Sequence, residues 1–136
     1  MNPLFHDIFQ KTRLLSKELN LVLKKYDLFA AQWTVLYCVH LQDDMTLTDI
    51  CKYLNVEAPT VTRTVNRLET LGWLTTQEGQ DRREKIVRLS EEAIVKFPEI
   101  KASIIQFENE FLQGLSNDEQ ALLRELLRKM SKESEM

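Results

Sequence analysis

The stretch "TLTDICKYLNVEAPTVTRTVNRLETLGWLTTQEGQDRREKIVRLS" (Thr46–Ser90) decides the fold. At its start Thr46 can pair with Asp49 three residues on in a capping box, which opens a short helix. Leu47, Ile50, Cys51 and Leu54 then follow at i, i+3, i+4 and i+7, one face of that helix. "NVEAP" makes a tight turn. Pro59 starts a second helix, Pro59–Leu71, and Gly72 stops it at a position that favours glycine. Val61, Val65, Leu68 and Leu71 form its buried stripe, while Thr60, Thr62, Arg63, Asn66 and Arg67 lie away from it. Ala58, the implied N-cap, supplies no side-chain acceptor, so the first N–H groups need water or an outside anion such as a phosphate.

After Gly72, "WLTTQE" and "KIVRLS" have strand composition and period-two alternation, with Val87 and Leu89 inward and Arg88 outward. The connecting "GQDRRE" is a hairpin tip carrying Asp81, Arg82 and Arg83. Two helices joined by a short turn, the second with a polar face of Thr, Asn and Arg, form a helix-turn-helix pattern. A hairpin with arginines at its tip makes the pattern a winged one. A major groove admits a helix, so Arg63, Asn66 and Arg67 can reach base edges or phosphates, and Thr60 and Thr62 suit phosphates. The tip lies where a neighbouring minor groove would pass, and arginines are drawn to its negative potential. Singly, each feature also has a plain reading: Arg63 and Arg67 near Glu69 could be a solvated helix face, and Asp81 beside two arginines an ordinary charged turn. Their order within one short segment favours DNA.

Outward from this core, residues 4–26 read as one amphipathic helix carrying Phe5, Ile8, Phe9, Leu15, Leu19, Val22, Leu23 and Tyr26, with Pro3 suited to its first position. "FAAQWTVLYCVHLQ" (Phe29–Gln42) is apolar almost all round and is expected to be buried on most sides. Ser90-Glu91-Glu92 caps a long helix to about Gln113, with Ile94, Phe97, Ile100, Ile104, Phe107 and Phe111 on one face. Pro98 should kink or split it, and Gly114 ends it. Ser116–Glu119 is a second capping box, opening a last helix through Met130, and the tail "SKESEM" frays. The order is α, α, short α, α, β-hairpin, long α, α: a mainly α chain with a small β-hairpin wing.

Composition narrows the function. The chain has 136 residues, 43% hydrophobic and 29% charged, an ordinary globular balance. Its formal net charge is −3, but Ala58–Arg88 alone carries +2 and the remainder −5. A chain that meets a polyanion through one patch would show this asymmetry. No run approaches the ~18 apolar residues of a membrane span, and the N-terminus lacks the pattern of a secretory signal. A cytoplasmic location with no membrane partner is the default. Cys38 and Cys51 sit inside apolar helical patterns and read as buried thiols, with a redox sensor as the sharper alternative. Only His6 and His40 are present, so no metal is expected. There is no Gly-rich phosphate loop and no nucleophile–base set, so neither enzyme activity nor a cofactor is expected.

The residues "QW.VL", "PTVTR.V.RLE..G" and "D.R…V.LS..A", spanning Gln32–Ala93, resemble the core of the MarR family of winged-helix transcriptional regulators. The resemblance implies a homodimer whose first helix and last two helices interlock, with a dimerisation helix at 1–28, a winged helix-turn-helix lobe at 29–90 and C-terminal dimerisation helices at 91–136. The excess of apolar stripe on Phe5–Tyr26 and Ile94–Phe111 agrees with it. It also implies that residues of Pro59–Leu71 enter the major groove of double-stranded DNA, that Arg83 reaches the minor groove, and that Asp81 braces it. Arg82 has no fixed assignment and is expected on a phosphate.

Two departures stand out. The family often caps the helix before "QW" with Thr or Ser, whereas this chain has Phe29, so that cap must come from elsewhere. The family often has a small-molecule effector pocket between its lobes; Phe9, Trp33, Tyr37 and His40 could line one, or could simply be core. The peroxide-sensing branch uses a cysteine near the first helix, and none precedes Cys38 here. The expected function is a homodimeric repressor on a pseudo-palindromic operator, released by a small-molecule effector. The alternatives are a winged-helix protein-interaction module or a cysteine-based redox-responsive regulator.

Overall fold

The structure is a computed structural model and describes residues 1–80 and 84–131. The first helix, α1 (Pro3–Leu23), starts at Asn2, whose Oδ1 accepts from the Leu4 N–H at 3.0 Å. A 3₁₀ turn, Lys24–Tyr26, follows, and Asp27 ends it in the left-handed region at φ 56°. The next helix, α2 (Ala30–Leu41), buries Trp33, Val35, Leu36, Cys38 and Val39 and forms the centre of the core. Phe29 precedes it without a capping side chain, and the missing cap is supplied from two places. Gln32 Oε1 accepts from the Phe29 N–H at 3.0 Å, and Asn20 of α1 accepts from the Ala30 N–H at 2.6 Å. The second bond staples α1 to the start of α2.

The helix-turn-helix comprises α3 (Leu47–Leu54) and α4 (Ala58–Thr70), joined through Asn55 at φ 55°. The Thr46–Asp49 box forms in both directions, at 3.1 and 3.0 Å. At α4 the N-cap is Glu57, one residue before the expected Ala58, because Pro59 fits the second helical position equally well. The Glu57 side chain makes no cap bond; its backbone carbonyl accepts from Thr60 and Val61. Val61, Val65 and Leu68 are buried as expected, but Leu71 is 41% exposed. Leu71 is the C-cap, where the chain leaves the helical register, so it falls off the stripe.

A three-stranded antiparallel sheet, in the order β1–β3–β2, forms from β1 (Met45–Thr46), β2 (Leu74–Glu78) and β3 (Lys85–Leu89). The sequence reading saw only the hairpin. Strand β1 is two residues long, too short to show a period, and exists through its pairing of Met45 with Val87 and Thr46 with Ile86. Val87 is fully buried, Leu89 packs half-buried against the core, and Arg88 is exposed.

The long helix α5 (Glu91–Phe111) is capped by Ser90, whose Oγ accepts from the Ala93 N–H at 3.0 Å. It runs unbroken through Pro98 rather than splitting there, since Pro98 lies on the exposed face and one lost backbone bond is tolerated. Its buried face is Ala93, Phe97, Ile100, Ile104 and Phe107, while Ile94 is 58% exposed. The stripe therefore enters the core at Ala93, one residue before the position periodicity assigned to Ile94. The helix ends two residues short of Gln113, at the C-cap Leu112. The last helix, α6 (Asn117–Lys129), opens with the Ser116–Glu119 box. Bonding from the Ser116 backbone N–H and then its side chain holds the Glu119 carboxyl below its ordinary value. No side chain of α6 is buried, and Leu122, Leu123, Leu126 and Leu127 are exposed. No helix among the described residues is long and apolar enough to cross a membrane.

The Asn20 staple yields a direct prediction. Asn20→Ala should lower unfolding free energy by about 1 kcal/mol, the worth of a lost helix cap, measured by urea denaturation. An unchanged midpoint would mean that the α2 start is held by Gln32 alone.

Candidate nucleic-acid interface

Helix α4 presents its three buried valine and leucine residues to the core, so the opposite face is fixed by helical geometry. Thr60, Arg63, Asn66 and Arg67 are exposed there, and Thr62 is half-buried at its edge. Among the described residues, none of these five side chains has a hydrogen-bond or ion-pair partner. Glu69, which could have neutralised the neighbouring arginines, is engaged elsewhere: its Oε2 accepts from the Thr76 hydroxyl at 2.7 Å. The two other threonines on the helix fold their hydroxyls back onto the backbone, Thr64 onto the Thr60 carbonyl and Thr70 onto the Asn66 carbonyl. What remains is a row of unpaired cationic and polar groups on one rigid helix.

The end of α4 sets where the wing departs. Gly72 lies at φ 87°, and its N–H and that of Trp73 return to the carbonyls of Glu69 and Leu68 at 3.0 and 2.9 Å. This pair of bonds is a Schellman motif, which closes the helix and turns the chain into β2. The Gly79 N–H bonds the Glu84 carbonyl at 2.9 Å and closes the described part of the hairpin. Asp81, Arg82 and Arg83, the wing residues singled out in the sequence, lie outside the described residues.

Three of the four aromatic candidates for an effector pocket come together. Trp33 stacks on Phe97 at 5.2 Å between ring centres, His40 stacks on the same ring at 3.9 Å, and Tyr37 is 6.0 Å from Trp33. Phe9 is 60% exposed on α1 and has no ring contact with them among the described residues. Beside His40, a cavity of about 500 Å³ opens between the end of α2, β3 and the start of α5. Asp43, Asp44, Val87, Arg88 and Ile94 also line it, whereas Trp33 and Tyr37 do not. The Arg88 Nε donates to Asp44 Oδ1 at 2.5 Å across this opening. Sequence reasoning missed this pair, because two residues 44 apart carry no local signal. It also missed the Glu69–Thr76 bond, whose partners are seven residues apart but sit on different elements, a helix and a strand, that only the fold sets side by side.

Cys38 is fully buried, and burial pushes its thiol above the ordinary value; its Sγ lies 3.2 Å from Met45 Sδ. Cys51 is half-buried on α3. No group of three or more potential metal ligands occurs among the described residues.

This architecture has known relatives. The sequence profile of the MarR family matches residues 26–84. An uncharacterized HTH-type transcriptional regulator of Bacillus subtilis, YwoH, is 43% identical over 125 residues, covering 92% of this chain and 91% of that one. The chain belongs to the MarR family. It is therefore a winged-helix transcriptional regulator, and the family's kind of function is regulatory. Among solved structures, a mutant MarR from E. coli complexed with operator DNA matches with a TM-score of 0.86 and 28% identity, over 93% of this chain and 92% of that one. The transcriptional regulator SlyA matches with a TM-score of 0.87 and 26% identity, over 98% and 96%.

For this MarR-family chain the cysteines give a test independent of DNA. A raised thiol value leaves less thiolate at neutral pH, and full burial excludes reagents. Mass spectrometry after brief alkylation at neutral pH should find Cys51 modified well before Cys38. Early modification of Cys38 would show that the α2 core opens readily.

Proposed function

We propose that this MarR-family regulator acts as a homodimeric repressor that reads a pseudo-palindromic operator in double-stranded DNA. The observation that carries the proposal is the row on α4: Thr60, Arg63, Asn66 and Arg67 face outward, with Thr62 half-buried at the edge, and their side chains have no intramolecular partner among the described residues. Groups so placed, in a segment of net +2 within a chain of −3, favour a polyanion. In this reading Arg63 and Asn66 read base edges in the major groove, Arg67 and the threonines grip phosphates, and Arg83 enters the minor groove. Asp81 braces that arginine and Arg82 touches a phosphate.

The dimer is proposed on the exposed apolar residues of the terminal helices. Leu4, Phe5 and Phe9 on α1, with Leu122, Leu123, Leu126 and Leu127 on α6, are each at least 44% exposed. So many large apolar side chains at the two ends of the chain call for a partner surface. The corresponding division is 1–28 and 91–136 for dimerisation and 29–90 for DNA. A two-fold pair would set its α4 helices about 34 Å apart, one helical turn of DNA. The cavity beside His40 is the proposed seat of a small-molecule effector that releases the operator, with His40 linked through Phe97 to Trp33 and Tyr37 and with Phe9 apart from it. A cytoplasmic location fits this role.

The experiment is selection of bound sequences from random DNA, followed by affinity measurements. The wild-type chain should enrich a palindrome. Arg63→Ala or Asn66→Ala should change which bases are preferred, at about 1–3 kcal/mol per lost base contact. Arg83→Ala should weaken binding to all sequences alike and flatten the salt dependence. If no DNA is retained even at low salt, the winged lobe serves a protein partner instead.

A further inference from the structure

The wing is attached to the helical frame by little backbone. Its two strands pair with each other over five residues, β1 adds only two further pairs, and the base is held by the Ser90 bonds to Gly72 and Trp73 and by Leu74 and Val87 in the core. Beyond the base, further side-chain bonds supplement that attachment on each side of the hairpin. On one side the Arg88 guanidinium of β3 donates to Asp44, in the loop between α2 and β1. With its amide in the orientation that satisfies both of its atoms, Gln77 of β2 accepts from Arg88 Nη1 and Nη2 at 3.2 and 3.3 Å. Gln77 is a diagonal neighbour of Arg88 on the same sheet face, since Arg88 pairs with Thr75. A single guanidinium on β3 thus ties β2 to the loop that leads into β1. On the other side Thr76 of β2 donates to Glu69 of α4, the helix with the outward polar row.

We propose that Asp44, Arg88, Glu69 and Thr76 are positioning residues that fix the wing's angle to α4, so that both reach DNA together. The inference rests on the DNA-binding reading above. Stability is not the reason for these bonds. Arg88 and Asp44 are 47% and 53% exposed, and an ion pair so wetted adds almost nothing to folding. The geometry is nonetheless specified: Asp44 adopts φ 56°, a left-handed conformation that aspartate tolerates better than most residues. Both braces also place an acid within the lobe that meets DNA, where bare charge would be unfavourable. Each acid is consumed by a wing residue. An arginine and a threonine that could have contacted phosphates are instead turned inward on the protein. The arrangement exchanges two direct contacts for a preorganised wing, which lowers the ordering cost at binding.

The test uses an opposition of sign. Replacing Asp44 removes a negative charge near DNA, so electrostatics alone predicts tighter binding. Loss of the brace predicts weaker binding. Asp44→Gly keeps the left-handed backbone accessible and removes the acceptor; Asp44→Asn keeps both the backbone preference and an acceptor oxygen but loses the charge. Full-length variants are titrated onto the DNA selected by the wild type, by fluorescence anisotropy at several salt concentrations, with melting temperatures recorded alongside. The expected order of affinity is wild type, then Asn, then Gly. The Gly variant should be roughly two- to fivefold weaker for each wing engaged and show a flatter salt dependence. Thr76→Val, which changes no charge, should weaken binding similarly at an unchanged melting temperature. Equal or tighter binding by Asp44→Gly, or wild-type affinity in Thr76→Val, would overturn the proposal while leaving the DNA reading intact. Failure of the wild type itself to bind any DNA would overturn the reading beneath it.

Discussion

Much of the lobe hangs on the joint at Gly72. Its positive φ of 87° lets the chain close α4 with a Schellman pair and leave at once into β2. The same joint receives the far end of the hairpin, for the Ser90 hydroxyl donates to the Gly72 carbonyl at 2.6 Å and the Ser90 N–H to the Trp73 carbonyl at 3.0 Å. Ser90 also caps α5. One turn therefore ends the helix with the polar row, starts and closes the wing, and begins the long helix that returns to α1. A residue with a Cβ at Gly72 would be strained by its backbone angle, even though the nearest foreign atom to that Cβ would be 3.8 Å away. The constraint is conformational rather than steric.

The charge distribution follows from the same layout. The chain is acidic overall; Lys11–Lys25, with five basic residues and one acidic, is more strongly basic, and the segment from α4 through β3 carries a basic excess of +2. Not all of that excess is available, because Arg88 is committed to Asp44. The available cations on α4 are Arg63 and Arg67, on a helix whose other face is locked into the core by Val61, Val65 and Leu68. Rigid support and unpaired polar groups together distinguish this face from an ordinary solvated helix surface. The remainder, at −5, is acidic on balance, which disfavours DNA over much of the other surface and helps to orient an approaching duplex.

Much of this was legible in the sequence, and the losses have physical causes. Helices announced by caps and by strong periodicity, such as α3 with Thr46 and Asp49 or α6 with Ser116 and Glu119, appear where local rules put them. Strand β1 was invisible because a two-residue strand exists only through its partner. Ile94 and Leu71 fall off the buried stripes that periodicity gives them, since the α5 stripe begins at Ala93 and the α4 stripe ends at Leu68, where the chain is entering or leaving a helix. Phe29 correctly signalled that a cap was needed, but only the fold could show Asn20 as a source. The polar row on α4 was readable from spacing alone, whereas the Asp44–Arg88 brace joins residues 44 apart and the Glu69–Thr76 brace joins a helix to a strand across the turn at Gly72. Local chemistry shows in a sequence, and tertiary pairing does not.

The central claim is that the outward row of α4 and the wing together form the DNA surface. Amide chemical-shift mapping of the full-length protein during titration with its selected operator tests this most directly. The account predicts the largest perturbations at Thr60–Arg67 and through the β2–β3 hairpin, with α6 little changed. Perturbations centred on α6 or the exposed face of α1, with α4 unaffected, would contradict it.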